Sequence, residues 1–201
     1  MRSKIFISSV QKEFKGERRA LKDYIAGDPL LRKFFNVFLF EDLPAIGRRA
    51  DAVYLEEVKA SNIYLGLFGN DYGKENAGGK SPTHEEFLLA AKLGKPRFIF
   101  VKGEADSNRH HKMLGLLRVA GEQLIRRRFN TIPELTAAVY ASLVSLLLET
   151  GKIITGPFDA TFCRNANNSD ISKEKISWFL SRAKNARDYV LGERTPMLDV
   201  L

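Results

Sequence analysis

The stretch that decides the fold is "NIYLGLFGNDYGKENAGGKSPTHEEFLLAAKLGKPRFIFV" (62–101). It opens with "NIYLGLF" (62–68), a short run of apolar, β-branched and aromatic residues that reads as a buried strand. A glycine-rich polar loop covers 69–80. Ser81-Pro82 then suits a helix start, with proline at the first helical position, and the pattern predicts a helix over 82–93. "PRFIFV" (96–101) reads as the next strand. Strand, helix and strand in that order form a crossover unit whose two strands run parallel. The strands are apolar nearly throughout, as expected when both faces of a parallel sheet are covered.

The same alternation extends outward in both directions. Upstream, "KIFISSV" (4–10) reads as a strand. "QKEFKGERRALKDYIA" then places Phe14, Leu21, Tyr24 and Ile25 at helical spacing. "FNVFLFEDL" (35–43) reads as a second strand and "PAIGRR" as a loop. "DAVYLEEVKA" (51–60) reads as a helix with Val53, Tyr54 or Leu55, and Val58 facing inward. Downstream, helical character near 107–120 leads to "EQLIRRRF" (122–129), a candidate edge strand. "TIPELTAAVYASLVSLLLETG" (131–151) is a long helix with a T-x-x-E capping box at Thr131 and Glu134 and a stop at Gly151. The predicted fold class is α/β: a doubly wound, mostly parallel five-stranded sheet of the flavodoxin type over residues 1–150, plus a C-terminal helical arm. Residues 151–201 read as a turn-rich linker and an amphipathic helix carrying Ile176, Phe179 and Leu180 on one face. That region is too short for an ordinary core and is expected to continue into a longer module.

Composition narrows the function classes. The 201 residues are 44% hydrophobic and 28% charged, which suits a packed globular chain. The apolar stretch after the basic N-terminus is too short for a secretory signal, and no uninterrupted apolar run reaches the about 18 residues of a membrane span. No membrane partner is expected. The single cysteine, Cys163, precludes an internal disulfide and fits a reducing, cytoplasmic setting. A net charge of +8 favours an anionic partner. The densest basic cluster, Arg126–Arg128, reads either as a solvated edge or as a patch.

Ligands of open parallel sheets bind beyond the carboxyl ends of the strands. Ser8 and Ser9 end the first strand, and Glu41 and Asp42 the second. Phe68, Gly69, Asp71, Tyr72, Gly73 and Ser81 follow the third, and Glu85 and Glu86 open the next helix. Small hydroxyl residues and glycines let backbone approach phosphate or ribose closely. Each feature also has a plainer reading. Thr83-His84-Glu85-Glu86 matches a capping box, in which Glu86 bonds back to Thr83. Ser8 and Ser9 suit caps for the following helix. Asp71-Tyr72-Gly73 suits a turn with an exposed aromatic, and Glu41 and Asp42 suit solvent. His110 and His111 lack a partner at metal-ligand spacing, so no metal is expected. Neither a P-loop nor G-x-G-x-x-G occurs, which removes support for ATPase or ordinary dinucleotide chemistry in this segment. No cofactor is expected.

"KIFISSVQKEFKGER", "ASNIYLGLFGNDYG" and "SPTHEEFLLAAKLGKP" together resemble a bacterial domain family of unknown function, itself similar to TIR domains and nucleoside 2-deoxyribosyltransferases. The resemblance covers about residues 3–150. It implies a carboxylate, after the third strand, acting on the anomeric carbon of a sugar. Glu86, Ala90 and Gly94-Lys95-Pro96 match the spacing of the deoxyribosyltransferases, and Glu85 is out of register by one. It implies a nucleotide or nucleoside ligand, for which Ser8, Ser9, Phe68, Gly69, Asp71, Tyr72 and Ser81 at the strand ends are the candidate binding residues. Departures are Asn62, where many relatives carry aspartate, and a cleft without tryptophan. The tail from Gly156 resembles the opening of a RecG-related, Alba-type (divergent AAA) DNA-binding region, related to ATP-dependent DNA helicases. That implies nucleic acid as a partner of the continuation.

Two functions follow from these resemblances. The first is a nucleotide-sensing or protein-interaction module of a RecG-related regulatory protein, self-associating as TIR-like domains do. The alternative is an enzyme that cleaves N-glycosidic bonds in NAD or nucleosides with Glu86, whose place at a helix N-terminus is expected to favour its charged form.

Overall fold

The computed structural model describes residues 2–42 and 50–153, and the side chains of all of these except 50–52. Continuous apolar sequence becomes continuous burial: every residue of β3 (Ile63–Phe68) is buried, and so are the last five of β1 (Ser3–Ser9). These two strands pair in parallel at the centre, Ile5 opposite Ile63 through Ser9 opposite Leu67. β2 (Phe35–Phe38) flanks β1, while β4 (Arg97–Lys102) and then β5 (Arg126–Phe129) extend the other side. The result is a five-stranded, all-parallel sheet in the order β2-β1-β3-β4-β5. The α/β doubly wound expectation holds, and β1 is interior.

Pleating sends alternate residues to opposite faces. Phe6 of β1, Tyr64 and Phe68 of β3, and Ile99 and Val101 of β4 form one core. α3 (Ala50–Ala60) adds Val58 to it, α4 (Pro82–Lys92) adds Phe87, and α5 (His111–Gln123) adds Met113 and Leu116. α1 (Gln11–Gly27) contacts α6 (Ile132–Glu149). α1 buries Phe14, Leu21 and Ile25, and α6 buries Leu135, Val139, Leu143 and Leu147 at i, i+4 spacing. The short α2 (Leu31–Phe34) leads into β2. The chain steps from β1 to β2 on one side and from β1's other neighbour onward through β4 and β5. The ends of β1 and β3 are therefore the switch point at which such sheets open a crevice.

Several boundaries differ from the expectation, each for a visible reason. β2 stops at Phe38, and Phe40–Asp42 curls into a 3-10 turn. There Glu41 forks onto Arg18, and Asp42 pairs with Lys22 and Arg19. β5 begins at Arg126 because residues 122 and 123 complete α5, whose last turn closes with Leu124 N–H donating to Ala120 O. By length and hydropathy α6 is apolar enough to cross a membrane, which a search for uninterrupted apolar runs passes over. Expectations for the 44–49 loop, for the arm from 154 onward, and for Ile176, Phe179 and Leu180 lie outside the described residues.

Candidate functional site at the ends of β1 and α4

α4 starts differently from its T-x-x-E signature. Ser81 is the N-cap, its hydroxyl accepting from His84 N–H at 3.3 Å, with Pro82 at the first position. This shifts the helix frame. Thr83, Glu86, Phe87 and Ala90 form the inward stripe, the i, i+3, i+4, i+7 pattern of a core-facing helix. Glu86 therefore turns inward. Ser8 Oγ of β1 donates to its Oε2 at 2.5 Å, and the capping-box reading of Glu86 is corrected. Ser8 and Ser9 do not cap α1 either, since its N-cap is Val10 without a side-chain bond.

Glu86 is only 4% exposed. Burial raises its pKa to about 7, against the opposing effects of the Ser8 hydrogen bond and the Arg18 charge, with Glu85 adding to the rise. Desolvation thus works against the charged form that the helix terminus is expected to favour. Among the described residues, no hydrogen bond reaches Oε1. The charge of Glu86 is felt nearby. Burial first, and Glu86 second, raise the pKa of Tyr54 and push that of Tyr64 well above its ordinary value.

Glu86 lines a cavity of about 170 Å³ between the ends of β1, α1, α3 and α4. Ser9, Val10 and Gln11 form one side, Pro82 and Thr83 another, and Gly73 and Lys74 of the β3–α4 loop a third. Phe40 and Tyr54 close the remaining side, their rings 4.2 Å apart. Arg18 reaches in from α1, only 3% exposed. Its guanidinium donates to both Glu41 oxygens at 2.8 and 2.6 Å, to Ile7 O at 2.8 Å and to Ser9 Oγ at 3.2 Å. Burial acts to raise the Glu41 carboxyl, but the Arg18 contacts prevail and hold it below its ordinary value.

The structure brings Ser8, Ser9 and Glu86 together and sets the other candidates apart. Phe68 is a core side chain. Ser81 is spent on the cap. The backbone N–H groups of Asn70 and Asp71 already donate to the Glu13 carboxylate at 2.7 and 3.1 Å, and Gly69 has no side chain to block that approach. Tyr72 is buried rather than an exposed turn aromatic. Its hydroxyl lies 2.6 Å from His84 Nδ1, and its ring stacks on His110, which stacks on His111. Glu41 and Asp42 are paired with basic residues of α1 rather than free in solvent. Among the described residues, no three His, Cys, Asp or Glu side chains converge as metal ligands.

Arg18, Phe40, Tyr54 and Lys74 were missed by the sequence reading. For Arg18 a signal existed: it lies four residues after Phe14 and three before Leu21, a charge on the buried stripe of α1. Phe40 and Tyr54 come together only through tertiary packing.

A CMP N-glycosidase from Clostridium botulinum has a similar structure, at 13% identity and a TM-score of 0.45, over 69% of this chain and 98% of that one. No curated protein matches. A family model described as "Domain of unknown function (DUF4062)" matches residues 4–144, and the chain belongs to that family.

Proposed function

We propose that the domain cleaves an N-glycosidic bond in a nucleoside or nucleotide, with Glu86 as the catalytic carboxylate. The observation that carries this reading is the direction of Glu86: it takes no part in its own helix cap, which Ser81 serves, bonds to Ser8 and lines the switch-point cavity. Leaving the bond between the sugar's anomeric carbon and the base, the electron pair departs with the base nitrogen, and an oxocarbenium-like sugar forms. An ionised carboxylate beside that carbon stabilises it. A water then adds to the carbon and gives up a proton to Glu86, and a proton from solvent completes the freed base. A pKa near 7 suits a group that must be charged in one step and protonated in the next. The volume of about 170 Å³ lies below the about 300–1,000 Å³ of drug-sized pockets. It fits one ring, with the rest of the ligand at the mouth.

That small volume favours a second reading, a nucleotide-sensing module that binds without turnover. The test is to incubate the full chain with NAD, nucleosides and nucleoside monophosphates and to follow free base by chromatography. Release that disappears in Glu86→Gln supports the enzyme. A ligand-induced rise in melting temperature without release supports the sensor.

A further inference from the structure

Tyr64 is fully buried, and its hydroxyl has no hydrogen-bond partner among the described residues. An unpaired buried hydroxyl is disfavoured, and phenylalanine would fill the same place without that cost. The register explains where the hydroxyl is aimed. Tyr64 pairs with Phe6 and Gly66 with Ser8, so Tyr64 and Gly66 share the face that carries Ser8. A Cβ at residue 66 would stand 3.0 Å from Tyr64 Cε1, 2.9 Å from Ile99 Cδ1 and 3.1 Å from Phe68 Cε1. Without it the ring lies along the strand beside the Ser8 position, where Glu86 arrives from α4. The Ser8 hydroxyl acts to favour the Tyr64 phenolate, yet its proton goes to Glu86 and no Ser8–Tyr64 hydrogen bond meets ordinary geometry among the described residues.

We infer that Tyr64 is a positioning residue for Glu86: its hydroxyl, held across Gly66, is the second donor that the carboxylate recruits on losing its proton, with Ser8 as the first. The inference rests on the reading of Glu86 as the catalytic carboxylate. The other groups facing Glu86 are already committed or differently placed. Arg18 of α1 directs its hydrogen bonds to Glu41, Ile7 and Ser9 and acts on Glu86 through its charge. Tyr54 of α3 is half-buried and takes the Gln11 amide at 3.3 Å. Glu85 of α4 opposes ionisation.

The experiment is a pH titration of the full chain carrying carbon-13 glutamate, followed by NMR, with Glu86→Gln to assign the Glu86 signal. Tyr64→Phe is expected to raise the Glu86 midpoint by about half a unit or more, with a smaller change in Tyr54→Phe. A Tyr64→Phe midpoint within about 0.2 unit of wild type overturns the inference. Fluorotyrosine placed at position 64, a stronger donor, should lower the midpoint and keeps the test open if Tyr64→Phe folds poorly. Base release is measured on the same samples. If wild type releases none, the glycosidase reading fails, while the midpoints still decide the role of Tyr64.

Discussion

The starts of α4 and α6 carry the same local signature and use it differently. At α6, Thr131 Oγ accepts from Glu134 N–H at 3.3 Å, and Glu134 Oε2 reaches back to Asn130 N–H at 2.8 Å. Both side chains are exposed, and the cap serves the helix alone. At α4, Thr83 and Glu86 have the same spacing, but Ser81 takes over the cap and both residues turn into the protein. The difference lies in what surrounds each terminus. α6 starts on the surface beside the edge strand β5, whereas α4 starts above the ends of β1 and β3, where Ser8 offers a donor. A four-residue pattern specifies a capping capacity, and tertiary context decides whether the glutamate is spent on it.

The largest expected effect follows from exchanging each glutamate for glutamine. Glu86→Gln should lower base release by about two orders of magnitude or more, comparable with other losses of transition-state charge stabilisation. Glu134→Gln should leave release unchanged. Glu85→Gln is the neighbouring control. Its side chain bonds the Asn76 amide at 2.6 Å outside the cavity, and its loss should be mild. Equal losses in Glu85→Gln and Glu86→Gln would erase the distinction between the two carboxylates. In wild type, kcat/KM should rise with pH through about 7, as Glu86 ionises.

Stability should show the same contrast with the opposite sign. The folded pKa of Glu86, about 7, lies above its ordinary 4.5. Between these values the folded chain holds a proton that the unfolded chain has released, so stability falls as pH rises through that window and is level above it. The cost is on the order of 3 kcal/mol. Denaturant titrations at pH 4 and pH 8 should therefore show Glu86→Gln gaining on wild type by roughly that amount between the two conditions. A gap that does not change with pH would mean that Glu86 is not buried as described.

How much of this was legible beforehand follows from the range of the interactions. β1, β3 and the α4 helix were visible because two-sided burial and the Ser81-Pro82 start are written locally. β2 was overextended because the pairing of Glu41 with Arg18, 23 positions away, curls its end. Glu86 was singled out by the resemblance to the deoxyribosyltransferases, whereas its local pattern pointed to a cap, and its raised pKa was not foreseen: burial depends on β1 and α1, which a local pattern does not contain. Tyr72 was misjudged as an exposed turn residue because its partners, His84 and His110, come from two other elements.

Gly66 offers an intermediate effect. Gly66→Ala forces contacts of 2.9–3.1 Å with Ile99, Tyr64 and Phe68. Overpacking of that kind costs about 1–3 kcal/mol, so the melting temperature should fall. The Glu86 site should be disturbed with it, because Tyr64 must move. Unchanged melting would show that the face has room.

The smallest effects fall on the caps themselves, and they separate the two helix starts most directly. Ser81→Ala should cost about 0.5–2 kcal/mol, and Thr131→Ala the same range, because each removes the hydroxyl that serves an N–H of its first turn. Glu134→Gln keeps an oxygen for Asn130 N–H but loses a charge at a helix N-terminus, a change of about 0.3–1 kcal/mol that salt should diminish. Glu86→Gln should show no such salt dependence, since its carboxyl is shielded from solvent. Measuring both variants at low and high ionic strength tests whether one sequence signature serves two physical roles: a similar salt response at both positions would return Glu86 to the surface and to an ordinary cap.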